Sequence, residues 1–136
     1  MENLSKFQFK GYRINRSLIE LEENSNLENL KISFKASGVV HQNENIFYLN
    51  LLVNIVNEVE DLKIEVEAIG KYAFEKFDET KEISSYFYVN SSALLFPYIR
   101  AYISTLTNLS GNRSVTLPTM NLTNLASDLK SNTKIV

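Results

Sequence analysis

Side chains able to make or break bonds are scarce in this chain, and those present do not gather into a known pattern. His41 is the only histidine and there is no cysteine. A nucleophilic triad would therefore rest on one imidazole, and a zinc site would have to be built from carboxylates alone. His41 stands in the polar turn Val40-His41-Gln42-Asn43-Glu44, where a solvated role is expected. Carboxylates cluster twice, at Glu20-Leu21-Glu22-Glu23 and at Glu65-Val66-Glu67, and both read first as a wet strand face or loop. Gly11, Gly38, Gly70 and Gly111 are too scattered to cradle a phosphate. Neither catalysis nor a metal or other cofactor is expected, which leaves recognition through apolar surface.

Composition narrows the partners. Fourteen basic against sixteen acidic residues give a net charge of -2, so no broad basic field is available for nucleic acid or an anionic membrane. No segment is long and apolar enough to cross a bilayer. Met1-Glu2-Asn3-Leu4-Ser5-Lys6 lacks the basic and then apolar run of a signal peptide, so a cytoplasmic protein is expected. The sequons at Asn15, Asn90, Asn108, Asn112 and Asn121 then read as ordinary polar residues. At 136 residues the chain has the length of one domain, 1–136, with 1–5 and 131–136 expected to be flexible.

The elements follow from apolar periodicity. Phe7 and Phe9 alternate on one face, and Tyr12 and Ile14 continue from the opposite parity across Gly11, which predicts a long strand near residues 6–21 with a bulge. Leu30, Ile32, Phe34 and Ala36 alternate with polar residues. So do Phe47, Leu49, Leu51, Val53 and Ile55, and likewise Leu62, Ile64, Val66 and Ala68. Four strands with short polar turns predict an antiparallel meander or Greek key. Glu75 to Ser85 reads as a loop, and Tyr86-Phe87-Tyr88-Val89 as an aromatic run into the next element. That run is either a connector pinned by packing or part of a binding wall.

A long helix comes next. Leu95, Ile99, Tyr102 and Leu106 fall at i, i+4, i+7 and i+11, flanked by Leu94, Phe96, Tyr98 and Ile103. Asn90, Ser91 and Ser92 are the candidate N-caps, Ser110-Gly111 the stop, and Pro97 should bend or open the helix. Its apolar width exceeds what one sheet face covers, so a second partner is expected for Leu95, Ile99, Tyr102, Ile103 and Leu106. Leu122, Leu125, Ala126 and Leu129 then mark a short amphipathic helix that must lie against the sheet or a partner.

Leu94-Leu95-Phe96-Pro97-Tyr98-Ile99-Arg100, then a Leu-rich turn, Gly111 and Leu117-Pro118-Thr119-Met120-Asn121-Leu122, resembles the SecB export chaperones. Their helix opens with a similar LFPYxR string and is followed by a P-x-L-N-L-type segment. The strand order also matches, so the likeness covers roughly residues 7 to 130. It implies an α+β fold with a four-stranded antiparallel sheet, a long helix and a short C-terminal helix.

It further implies an ATP-independent holdase, a homotetramer arranged as a dimer of dimers, that binds unfolded or pre-export polypeptides in apolar grooves. By position, Leu30, Ile32 and Phe34 match the groove lining, with the short helix carrying Leu122 and Leu125 near it as a lid; Tyr86, Phe87 and Tyr88, on the binding-wall reading of the aromatic run, are further candidates. The family's acidic sheet surface receives the SecA motor. Glu20 and Glu65 fall at such positions, but Arg16 stands where another acid is expected, and Ser131 to Val136 replace a long acidic tail. That departure makes a chaperone dedicated to one partner, such as an antitoxin, the alternative. An assembly subunit that binds only folded partners is the rival from another class.

Overall fold

The computed structural model describes residues 7–75 and 83–136. Phe7–Leu21 (β1), Lys31–His41 (β2), Ile46–Val56 (β3) and Leu62–Phe74 (β4) form the strands that the alternation predicts. β2, β3 and β4 pair as an antiparallel meander, and β1 pairs antiparallel with β4. This is the Greek-key alternative. On one face Phe47, Leu49, Leu51, Val53 and Ile55 of β3, with Leu62, Ile64, Val66, Ala68 and Tyr72 of β4, have no exposed surface.

The sheet has five strands, not four, and is mixed. Thr133–Ile135 (β5) pairs parallel with β2 at Gly38, Val39 and Val40, giving the order β1-β4-β3-β2-β5. Residues 131–136 were expected to fray; instead the Gly38 amide donates to the Asn132 carbonyl, and the Val136 amide to the Val40 carbonyl. Ile135 and Val136 leave their side chains in solvent, so this strand is held by backbone bonds rather than burial. That is why apolar periodicity does not reveal it.

β1 shifts register between Phe9 and Gly11, as the parity change implies, and again between Ile14 and Arg16. Lys10 and Asn15 are the extra residues at the two irregularities. Gly11 takes φ +121, a conformation open to glycine and strained for other residues.

The long helix spans Ser85–Leu109 (α1), with Ser84 as its N-cap accepting from the Tyr86 amide. It therefore begins before the Asn90-Ser91-Ser92 start expected from sequence, and the aromatic run forms its first turns. Pro97 lies deep inside it, on the exposed side near exposed Ala93, so the carbonyl freed by the missing N–H faces water. The helix closes at Ser110, whose amide donates to the Leu106 carbonyl. Of the segment read as a loop between Glu75 and Ser85, residues 76–82 lie outside the described residues, as does the flexible start expected at 1–5.

After α1 the chain returns in extended form along the helix. The Arg100 Nε–H donates to the Leu117 carbonyl, and the Val115 amide donates to Thr107 Oγ1. A tight turn at Thr123–Leu125 leads into Ala126–Ser131 (α2), which packs on both α1 and β2. Leu117, Leu122, Leu125 and Leu129 close the core on that side.

Candidate functional site

The edge of β2 is where apolar side chains and unpaired backbone coincide. Leu30, Ile32 and Phe34 are half-buried against the core, and the Phe34 ring meets Phe96 of α1 edge-on at 5.6 Å. Even-numbered β2 residues turn their backbone groups away from β3, since Gly38 and Val40 bond to the β5 segment there and Ala36 accepts from Asn132 Nδ2. β5 reaches only from Gly38 to Val40. The backbone of Ile32 and Phe34, on the same edge, therefore has no strand partner among the described residues. A segment laid along this edge would find main-chain donors and acceptors beside apolar side chains, the two elements of strand addition.

The sequence-predicted groove residues divide into two groups. Leu122 and Leu125 come to the β2 side, where α2 and its preceding turn pack on β2, but their side chains are largely spent in the core, at 4% and 9% exposure. Tyr86, Phe87 and Tyr88 lie at the start of α1, beside a different cluster. Phe87 is fully buried and its ring meets Phe7, Phe47, Tyr72 and Phe74 at 4.6–5.3 Å. It is a core residue, and only Tyr86 of the three is exposed. Phe96, from the string that suggested the family, is likewise a core residue at 5% exposure, and it is the aromatic partner of Phe34 that the sequence does not reveal.

The expected self-association residues also divide. Leu95, Ile99 and Ile103 have no exposed surface within one copy and so offer no side chain to another. The helix turns them onto the sheet, where a side chain on Gly70 would approach Leu95. Tyr102 and Leu106 are half-buried, and the Tyr102 hydroxyl bonds to the Ser17 hydroxyl of β1 at 3.0 Å. Besides Tyr86 and Leu109 at its two ends, the helix leaves in solvent a neighbouring stripe, Leu94 and Tyr98, extended by Tyr12 of β1, whose ring lies 4.8 Å from that of Tyr98.

Glu20 and Glu65 lie in adjacent rows on the opposite face of the sheet, where Glu20 is exposed. Glu65 is flanked by Arg16 Nη1 at 3.6 Å and Lys63 Nζ at 3.5 Å, so its charge is offset locally. Burial raises the pKa of the Tyr72 phenol, and its hydroxyl donates to the Ser91 carbonyl inside α1. His41 packs its ring edge-on against Tyr48 at 5.5 Å. Among the described residues, no group of His, Cys, Asp and Glu could hold a metal ion, and no helix is long and apolar enough to cross a membrane.

No family model matches the chain, and no curated protein matches it. Among solved structures, the Mycobacterium tuberculosis Rv1957 SecB-like chaperone, in complex with a ChAD peptide from the Rv1956 HigA1 antitoxin, superposes with a TM-score of 0.69 at 15% identity, covering 84% of this chain and 89% of that one. A protein of unknown function from Streptococcus agalactiae matches with a TM-score of 0.46 at 14% identity, over 85% of this chain and 98% of that one. At 15% identity the first likeness is one of fold, and the chain has the α+β fold of a SecB-like chaperone.

Proposed function

We propose that the chain is an ATP-independent holdase that keeps polypeptides extended against the β2 edge. The observation that carries this reading is the coincidence, at Ile32 and Phe34, of half-buried apolar side chains with an edge backbone that has no strand partner among the described residues. Apolar contact and main-chain bonding accept many sequences, as a holdase requires. Binding the unfolded state delays folding by mass action, with no need of a catalytic group. A cytoplasmic place and a homotetramer belong to the same reading, and the uncharged outward face of α1 is the surface for self-association.

Dilution refolding of an unrelated slow-folding protein tests it. Stoichiometric addition should delay the return of that protein's activity. Phe34→Ala, which removes a ring from the groove while keeping the strand, should weaken the delay about tenfold in apparent affinity. Undiminished refolding in the presence of the wild-type chain would end the proposal.

A narrower version has its own support. The similar Rv1957 structure holds a peptide from an antitoxin, which favours a chaperone dedicated to one aggregation-prone partner. Affinity capture from the native cell should then return one dominant protein, whereas a general holdase returns a mixture.

A further inference from the structure

The sheet face turned away from α1 carries a feature that the groove reading does not use. Lys134, Val39, Tyr48 and Lys71 lie in register across β5, β2, β3 and β4, and Lys71 faces Gly11 of β1. The next row toward the middle of the sheet is Arg13, Ile69, Asn50 and Ser37. The row on the other side is Gln8, Ala73, Ile46 and His41. These rows contain no carboxylate.

At the Gly11 bulge this surface dips into a depression of about 250 Å³. Lys10, Arg13 and Lys71 stand around it, and Gly11, Tyr12, Tyr48 and Ile69 complete it. Gly11 is there for its backbone, at φ +121, and a side chain on it would meet nothing within 4 Å. Among the described residues, neither Lys10 nor Lys71 has an anionic partner, and Arg13 is held by Asn15 Oδ1 at 2.9 Å. The face is thus cationic at one end although the whole chain is net acidic, at -2.

We propose that this depression and the cationic row crossing it dock an acidic segment of a partner polypeptide. Carboxylates would sit on Lys10, Arg13 and Lys71, with an apolar side chain between them on Tyr48 and Ile69. Charge complementarity selects the partner. A nucleic acid fits less well, because a phosphate track leaving the depression toward the other end of the sheet runs onto Glu67, Glu65 and Glu20. The site lies on the face opposite the β2 groove side chains and does not depend on the holdase reading.

Fluorescence anisotropy with the intact protein decides the matter. The probes are a short fluorescein-labelled peptide alternating Glu with Leu, the same peptide with Lys for Glu, and a single-stranded RNA oligonucleotide. The Glu peptide should bind, lose affinity as salt rises, and lose about tenfold or more in the Lys10→Glu/Lys71→Glu double variant. Both side chains are exposed, so the fold should tolerate the changes. If the double variant fails to melt cooperatively, Lys71→Ala alone should still weaken the Glu peptide measurably. Lys31→Glu, at an exposed position in the far row of the same face, should leave Glu-peptide binding unchanged. Equal binding of the Lys peptide, tighter binding of the RNA, no effect of the Lys10 and Lys71 variants, or an equal loss with Lys31→Glu would each overturn the assignment.

Discussion

A methyl group on Gly38 would overlap the Phe47 ring and sit 3.0 Å from Thr133 Oγ1. Two neighbours on different elements claim the space that glycine leaves, one in the core and one on β5. Phe47 is fully buried among aromatic rings and has no room to withdraw. Gly38→Ala should therefore cost about 1–3 kcal/mol through overpacking, read as a lower denaturation midpoint at unchanged denaturant slope. Tyr72 makes a second residue-scale test, through pH. Its phenol is buried and its pKa raised, so the folded chain favours the neutral form. Stability from this group is complete below the unfolded tyrosine value of about 10 and is lost as pH rises from there toward the folded value. Tyr72→Phe removes one hydrogen bond, to the Ser91 carbonyl, at about 0.5–1.5 kcal/mol near neutrality. It should also flatten the decline of stability above pH about 10, which chemical denaturation at a series of pH values would follow.

Among the elements, β5 is the one most weakly tied. Its backbone completes part of the β2 edge while the Ile135 and Val136 side chains stay 62% and 65% exposed. Removing residues 133–136 should lower the melting temperature by only a few degrees, about what one kilocalorie moves in a domain of this size. The same cut bares the β2 edge at Val40, in addition to Ile32 and Phe34, with only Asn132 still bonded to Ala36 and Gly38 between them, and such edges pair with whatever strand they meet. The truncated chain should gain either slow self-association, seen by light scattering, or tighter binding of extended apolar peptides. Neither change would mean that β5 guards nothing. β5 also shows where reading the sequence stops. β1 to β4, the Gly11 bulge and α2 are legible because each carries a stripe of apolar residues with the period of its structure. β5 buries almost none and is invisible to that signal. The start of α1 was misplaced for a related reason. Asn90, Ser91 and Ser92 look like caps, yet Ser91 and Ser92 are buried small residues on the sheet side of the helix, while the true cap, Ser84, sits behind a charged stretch. Of the candidate site, the alternation makes legible a half-buried strand at Leu30, Ile32 and Phe34. The placing of the aromatic residues is not legible, because Phe87 serves the core and Phe96 reaches Phe34 only through the crossing of α1 over the sheet.

For the whole molecule, the decisive surface is the outward side of α1. The helix runs 25 residues with a single charged side chain, Arg100, and that one turns inward to the Leu117 carbonyl. Leu94, Pro97, Tyr98, Ala101 and Thr105 thus face solvent with no charge among them, and Tyr12 continues the patch onto β1. A solvent-facing helix normally carries charged residues on its wet side, so a face without any is expected to meet a protein surface. Of the stripe expected to reach a second copy, Leu95, Ile99 and Ile103 pack on the chain's own sheet, so the proposed contact falls on the adjacent stripe. A second copy is the simplest occupant, since two such faces related by a twofold axis bury the same residues on both sides. Ala101→Asp places a carboxylate in the middle of the stripe at a position exposed within one copy, so the monomer should fold and melt cooperatively. Sedimentation velocity should show wild type as an oligomer and this variant shifted to a smaller species, because an uncompensated charge at a closed apolar contact is strongly unfavourable. A wild-type chain that sediments as a monomer at every concentration would remove self-association from the proposal and leave the β2 edge to act alone.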